Sequence, residues 1–233
     1  MKVVIQGVVL VVYMIELAIL LFVAHTEYKD KYYVPIKMLC SITFVGAGIL
    51  FGVVSKHFMY SKMLVLPLLF CALGDLFMGL YQVKRKKGNL ILGIIFFLIA
   101  HIGLIDLLFK LDPAFNAYNV VIPIVTVLVF FIVKKWRHIH LGRIMPLACV
   151  YSIFLSLMLS KATQYMFMHP SIAGGWIGIA GILFFISDFS IIFLYFYKFK
   201  TKENRLKIHT LNLVTYYMAI IAFDVSILYM VMV

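Results

Sequence analysis

Charged residues are scarce in this sequence. They make up 13% of its 233 residues, whereas hydrophobic residues make up 65%. A soluble domain of ordinary composition is about 25% charged and about 45–50% apolar. The scarcity of charge excludes intrinsic disorder and argues against a soluble globular fold. A polytopic integral membrane protein remains, and any chemistry must use groups inside or beside the membrane.

Cysteine and the common catalytic motifs are also sparse. The three cysteines, Cys40, Cys71 and Cys149, lie inside apolar runs and form no CxxC pair. We therefore expect reduced, packed thiols. The sequence has no HExxH zinc motif, no GxSxG nucleophile motif, no P-loop and no GxGxxG signature. It predicts no metal ion and no cofactor.

Eight apolar runs approach the length of about 20 residues that a helix needs to cross a bilayer. We predict an all-α fold, a bundle of eight transmembrane helices, with residues 1–233 forming a single transmembrane domain. The first run has only Lys2 before it and no small-residue cleavage site after it, which favours a retained helix over a signal peptide. The predicted spans are residues 3–24, 34–54, 61–81, 89–109, 117–133, 143–164, 173–197 and 211–233.

The basic residues, which give the chain a net charge of +12, are unevenly distributed. Most of them fall in the loops after the first, third, fifth and seventh spans. The positive-inside rule predicts that these four loops are cytoplasmic and that both termini lie on the opposite side of the membrane. Orientation and contact with anionic lipids account for these charges, so we expect no nucleic-acid partner.

Acidic residues are the rarest charges, nine in all. An ionised aspartate at mid-span costs about 2.5–3.5 kcal/mol on insertion scales, and such residues usually face the bundle interior and mark a functional path. The alternative for any one of them is a buried acid that only hydrogen-bonds a neighbouring helix. The acids inside predicted spans are Glu16, Asp75, Asp106, Asp188 and Asp224.

The depth of the polar residues groups them more clearly than their number does. We counted depth from the basic-loop end of each span, at about 1.5 Å per residue. His101 and Asp224 fall near the middle of the membrane, and Asp106 falls near the outer end of the fourth span. One layer in the cytoplasmic half contains Glu16, Lys37, Asp75, Asp188, Tyr216 and Tyr217.

The seventh span also indicates which way its aspartate points. Steps of three and four residues place one set of side chains on a single helix face. Small residues at that spacing let neighbouring backbones approach closely. We therefore predict that Asp188 lies on the packing face of this helix, together with Gly174, Gly178, Gly181 and Phe185.

Such a layer suits acid–base chemistry. Burial disfavours the charged form of a carboxyl group, so one carboxyl can stay protonated as a general acid. A second carboxyl, kept ionised by Lys37 or by a tyrosine hydroxyl, can act as a base. These considerations do not decide which acid has which role.

The same residues resemble a known family. Residues 69–78, LFCALGDLFM, resemble the glycine–aspartate signature of the lysoplasmalogenase family, the YhhN-like membrane proteins. Residues 184–188, FFISD, resemble the serine–aspartate signature in the seventh helix of that family. Met38 stands where the family often has proline, a departure that bears on the substrate more than on the fold. Further similar positions, in the second, fourth and last helices, are Lys37, Gly93, His101, Tyr216 and Tyr217.

The resemblance implies a hydrolase that cleaves the vinyl ether bond of lysoplasmalogens into a fatty aldehyde and a glycerophospho-headgroup, with Asp75 and Asp188 catalytic. Protonation of the vinyl β-carbon gives an oxocarbenium ion, to which water adds. Two carboxyl groups flank a comparable centre in glycoside hydrolysis. The implied partner is a membrane lipid substrate, a lysophospholipid. We expect the substrate-binding or supporting residues to be Glu16, Lys37, His101, Tyr216 and Tyr217.

Two other functions are compatible with intramembrane acids. A small-solute or lipid transporter also uses intramembrane carboxylates, and the similar aspartate-ending segments of spans three and seven hint at an internal repeat of the kind that transporters show. A structural membrane protein would use its buried acids only to fix helix packing.

Overall fold

The computed structural model of the protein describes residues 2–230, in which the chain is 88% helical and has no strand. Within that range, eight helices are long and apolar enough to cross a membrane, as the sequence predicted. Their order is α1 (Lys2–His25), α2 (Lys29–Ser55), α3 (Phe58–Lys84), α4 (Lys87–Leu111), α5 (Tyr118–Trp136), α6 (Met145–Met168), α7 (Ile172–Phe196) and α8 (Lys202–Tyr229).

The last helix begins earlier than predicted. The sequence predicted a span from residue 211, but α8 begins at Lys202 and includes a polar first part. Thr201 caps it, because its side chain accepts a hydrogen bond from the backbone of Asn204. Glu203 and Lys207 then pair at 2.7 Å, one turn apart. Helix signals therefore extend beyond the apolar run, and the predicted end at residue 233 lies outside the described residues.

The central element of the bundle is α8. It packs against α1, α2, α3 and α7, and nearly every side chain from residue 215 to residue 228 is buried. Helices α1, α2, α3, α4, α6 and α7 are successive neighbours around it, whereas α5 lies outside and packs on α6. A polar residue on the inner part of α8 is therefore surrounded by protein rather than by lipid.

Close packing of α6 and α7 depends on small residues. Gly174, Gly178 and Gly181 are buried, as predicted for the packing face of α7. A Cβ atom at Gly181 would lie 2.5 Å from the Cβ of Ala162 on α6. The same face includes Phe184 rather than the predicted Phe185, which is only half-buried. The shift follows from the 3.6-residue turn, which places residue 184 as well as residue 181 above Asp188.

Candidate active site

Lys37 and Asp75 form a buried ion pair between α2 and α3. Lys37 Nζ lies 2.6 Å from Asp75 Oδ1, and both side chains are at most 6% exposed. Ser41, one turn after Lys37 on α2, donates a hydrogen bond of 2.8 Å to Asp75 Oδ2. The two charges thus compensate each other inside the bundle, as buried ions require.

Two tyrosines from α8 complete the surroundings of this pair. The hydroxyl of Tyr216 donates a hydrogen bond of 2.9 Å to Asp75 Oδ2. Lys37 Nζ donates to the hydroxyl of Tyr217 at 3.4 Å. It also lies 5.3 Å and 5.1 Å from the ring centroids of Tyr216 and Tyr217, within the range of a cation–π interaction. Asp75 therefore contacts one cation, Lys37, and two hydroxyl donors, Ser41 and Tyr216. These contacts favour its ionised form.

The second aspartate has different partners. The hydroxyl of Tyr151 on α6 donates a hydrogen bond to Asp188 Oδ2. His101 Nε2, from α4, lies 3.5 Å from the same oxygen. His101 is fully buried, and its Nδ1 lies 2.6 Å from the carbonyl oxygen of Phe97. Because a carbonyl only accepts, Nδ1 carries a proton, and in a neutral ring Nε2 is left as an acceptor that faces Asp188.

Aromatic rings pack against the polar groups of the site. Phe97 and Phe184 each meet the ring of Tyr216 edge-on, with centroids 5.5 Å apart. Phe184 also meets the ring of His101 edge-on, with centroids 4.8 Å apart. The rings surround the polar groups with an apolar wall, which strengthens electrostatic interactions inside it.

A small polar cavity joins the two aspartates. Its wall includes Lys37, Asp75, Asp188 and Tyr216, and its volume is about 20 Å³. That is room for about one water molecule, and the cavity offers the polar partners that a buried water needs. We call it the acid cavity. A water there would lie between Asp75 and Asp188.

A second, apolar cavity begins at Asp188. It runs between α4, α5, α6 and α7 and is lined by hydrophobic side chains that include Leu155 and Phe130. Phe97, Asp188 and Ile191 border both this cavity and the acid cavity. Asp188 is therefore the carboxyl that stands between an apolar space and a polar one.

The other acidic residues that the sequence places inside spans lie apart from the site. Glu16 is buried, but its partner is Thr43, which donates a hydrogen bond of 2.9 Å to it. Asp224 is fully buried, and neither of its oxygens has a hydrogen-bond partner among the described residues. Asp106 is exposed and pairs with Lys110 at 2.6 Å, in keeping with its predicted place near the membrane surface. The structure thus groups Lys37, Asp75, His101, Asp188, Tyr216 and Tyr217, but not Glu16.

Several residues of the site were not predicted from the sequence. Ser41 was within reach of sequence reasoning, because it follows Lys37 by one helical turn. Tyr151 gave no signal, since no acidic residue accompanies it in its span. Asn212 on α8 donates a hydrogen bond of 2.9 Å to the carbonyl of Ser187, next to Asp188, and fixes α7 against α8. Such partners become visible only when the lateral packing of the helices is known.

The fold and the site together define an integral multi-pass membrane protein with a cluster of buried acidic and basic side chains between its helices. Among residues 2–230, no three His, Cys, Asp or Glu side chains are grouped so that they could hold a metal ion. The YhhN family model matches residues 31–227, which include every grouped site residue. The chain belongs to the YhhN family, as the resemblance of its motifs implied. Comparisons with curated proteins and with solved structures gave no match.

Proposed function

We propose that this protein is a membrane-embedded hydrolase that cleaves the vinyl ether bond of lysoplasmalogen-like lysophospholipids. Membership of the YhhN family supports the lysoplasmalogenase-like character. The observation that carries the proposal is the position of the two aspartates. Both line a cavity of about one water molecule, and Asp188 also borders the apolar cavity. The part of the alkenyl chain next to the ether would enter the apolar cavity, which has a volume of about 40 Å³, with the vinyl group at Asp188.

Asp188 is the proton donor in this proposal. His101 Nε2 and Asp188 Oδ2 are 3.5 Å apart, and Nδ1 of the ring is already committed to the Phe97 carbonyl. A hydrogen bond between Nε2 and the carboxyl therefore needs a further proton, held by one or the other group. That proton is available at the border of the apolar cavity, where the vinyl β-carbon would lie.

Asp75 is the base. Lys37, Ser41 and Tyr216 all stabilise its negative charge. An ionised carboxylate beside a water-sized cavity can accept a proton from the attacking water. The same negative charge stabilises the positive oxocarbenium ion that forms when the vinyl ether is protonated.

The steps balance as an addition of one water. The proton of the Asp188–His101 pair adds to the vinyl β-carbon, which gives the oxocarbenium ion. Water attacks the adjacent carbon, and Asp75 takes up the proton that the water loses. The hemiacetal then collapses: its hydroxyl proton passes to the Asp188–His101 pair, and Asp75 gives its proton to the leaving alkoxide. The products are a fatty aldehyde and a glycerophospho-headgroup, and both carboxyls regain their starting states.

The orientation in the membrane is part of the proposal. The basic loops would be cytoplasmic, with both termini on the opposite side, and residues 1–233 would form one transmembrane domain. The lipid headgroup would then approach from the cytoplasmic leaflet. A reporter that is active only in the cytoplasm, fused after Val233, should be inactive, and activity there would contradict this orientation.

The test is the release of aldehyde from lysoplasmalogen by purified protein. Asp75→Asn and Asp188→Asn should each abolish release while the protein still inserts and folds. The matched control is Asp106→Asn, because Asp106 is also a helical aspartate with a lysine partner at 2.6 Å but is exposed. Full activity in either site variant, with activity also intact in the control, would overturn the mechanism.

A further inference from the structure

A third cavity lies at the basic-loop end of the bundle. It has a volume of about 230 Å³ and is formed where α1, α3 and α7 end and where α2 and α8 begin. We call it the basic cavity. Four cationic side chains line it: Lys29, Arg85, Lys202 and Arg205. His25 and His209 contribute to the same wall, and no carboxylate does.

The four cations have no acidic partners among residues 2–230. At this end of the bundle Glu203 pairs with Lys207, and neither of these two residues lines the cavity. The amine of Lys29 instead donates a hydrogen bond of 3.2 Å to the buried side chain of Gln82. Like charges around one cavity repel each other, and an anion between them would relieve that repulsion.

The positive-inside rule accounts for the number of cations in these loops but not for their convergence. Lys84, Lys86 and Lys87, at the junction of α3 and α4, are exposed, as is Arg85, but these three lysines do not line the cavity. Between them, Arg85 takes a left-handed backbone conformation, with φ of 55°, at the end of α3. A left-handed conformation is uncommon for a residue other than glycine. Arg85 lines the cavity, whereas its three neighbours do not.

Lys37 is not free to bind an anion, although the sequence left that role open to it. Its amine is 2.6 Å from Asp75 and also donates to Tyr217. A negatively charged substrate group therefore needs cations elsewhere. Of the acid, apolar and basic cavities, only the basic cavity is lined by several cations that have no acidic partner within residues 2–230.

Two hydrogen-bonded pairs separate the basic cavity from the acid cavity. Gln82 donates to the hydroxyl of Tyr195 at 2.8 Å, and Tyr33 is 3.0 Å from His209. In each pair the tyrosine lines the acid cavity and its partner lines the basic cavity. Gln82 follows Asp75 by seven residues, a rise of about 10 Å along α3. In an extended lysophospholipid, six bonds separate the phosphorus from the ether-linked vinyl carbon, a span of about 7 Å at about 1.2 Å per bond, and the phosphate oxygens reach further.

We propose that the basic cavity binds a phosphate ester, held by Lys29, Arg85, Lys202 and Arg205, and that it is the headgroup site of the substrate. Arginine and lysine are the usual partners of phosphate oxygens in proteins. The assignment to a lipid headgroup rests on the proposed hydrolase function, whereas the anion site itself does not. The cavity then selects phosphorylated ether lipids over neutral ones.

Binding is measured without catalysis. The unfolding temperature of the purified protein in an uncharged detergent is titrated with a saturated 1-alkyl lysophospholipid, which has no vinyl ether to cleave. A 1-alkylglycerol of the same chain length and inorganic phosphate are the comparison ligands. The lysophospholipid should bind at least tenfold more tightly than the alkylglycerol, and Arg205→Gln should weaken its binding by about tenfold, since a charge-assisted hydrogen bond contributes about 1.5–3 kcal/mol.

The controls separate this proposal from the hydrolase proposal. Lys87→Gln removes an exposed cation from the same end of the bundle and should leave the affinity unchanged. Asp188→Asn, which removes the proposed proton donor and leaves the Lys37–Asp75 pair intact, should also retain the affinity, so that binding and hydrolysis fail independently. Lys202→Gln, at an exposed position, replaces Arg205→Gln if that variant does not fold, and higher salt should weaken binding to the wild type.

Equal affinity for the lysophospholipid and the alkylglycerol would overturn the proposal, as would unchanged affinity in a folded Arg205→Gln or Lys202→Gln variant. If inorganic phosphate stabilises the wild type at the concentrations at which the lysophospholipid does, and both cavity variants lose this effect, the anion site stands with free phosphate as its source.

Discussion

The hydroxyl of Tyr151 on α6 donates a hydrogen bond to Oδ2 of Asp188 on α7, within reach of His101 on α4. One carboxyl thus connects three helices, α4, α6 and α7. The contact also fixes the position of the carboxyl at the border between the acid cavity and the apolar cavity.

Replacement of Tyr151 by phenylalanine removes this donor and keeps the ring. A net hydrogen bond contributes about 0.5–1.5 kcal/mol, so we expect kcat for aldehyde release to fall about two- to tenfold with little change in KM. Tyr118→Phe is the control, because Tyr118 is exposed on α5. A Tyr151→Phe enzyme with the wild-type kcat would show that this contact does not position the proton donor.

Two lysine–aspartate pairs in this protein have the same length and opposite environments. Lys37 and Asp75 are buried at 2.6 Å, and Lys110 and Asp106 are exposed at 2.6 Å. Removal of one partner from a buried pair costs about 3–5 kcal/mol, because it leaves an uncompensated charge. An exposed pair contributes about 0–1 kcal/mol.

Lys37→Met should therefore lower the unfolding temperature strongly, and Lys110→Met should change it little. The double variant Lys37→Met with Asp75→Asn should recover part of the lost stability but no hydrolase activity, since it removes the stranded charge together with the base. Thermal unfolding in detergent and the aldehyde assay measure the two effects separately. Equal destabilisation by the two single lysine substitutions would contradict the burial argument.

Glycines on α7 provide a similar pair for helix packing. A Cβ at Gly181 would meet the Cβ of Ala162 at 2.5 Å, whereas a Cβ at Gly175 would have no neighbour within 4 Å. Gly181→Ala should destabilise the protein by about 1–3 kcal/mol, because α6 and α7 would have to separate. Gly175→Ala should be neutral or stabilising, since alanine favours the helix by up to about 1 kcal/mol. Comparison of their unfolding temperatures is the measurement, and the reverse order would contradict this packing.

Both the helices and the depth of most site residues in the membrane could be predicted from the sequence. Apolar runs reveal membrane spans, and a constant rise per residue turns a position in each run into a depth. Lys37, Asp75, Tyr216 and Tyr217 therefore share a layer in both the prediction and the structure. Depth carries no information about direction around the helix axis, so Glu16, at the right depth on α1, contacts Thr43 instead.

The lateral packing of the helices against one another could not be predicted from the sequence. Tyr151 and His101 reach Asp188 only because α6 lies beside both α4 and α7. The basic cavity likewise depends on the ends of five helices meeting, and a count of charges by loop could not distinguish Arg85 from its lysine neighbours. The first turns of α8 were not predicted, because a helix cap and an ion pair stabilise them rather than hydrophobicity.

The last prediction concerns Asp224, the deep carboxyl that the hydrolase mechanism does not use. It is fully buried, and neither of its oxygens has a hydrogen-bond partner among the described residues. An ion in that position would be very costly, so the neutral acid is favoured. Asparagine has nearly the same shape and is also neutral. Asp224→Asn should therefore keep aldehyde release within about twofold of the wild type, a difference of less than ~0.5 kcal/mol.

A carrier that moves protons or solutes through the bundle makes the opposite demand, because a deep carboxyl would be a step on its path. Aldehyde release by Asp224→Asn is compared with release by Asp188→Asn, at equal amounts of inserted protein. Loss of activity in Asp188→Asn alone confines the chemistry to the acid cavity. Equal loss in both variants would contradict a mechanism that uses only the residues of the acid cavity.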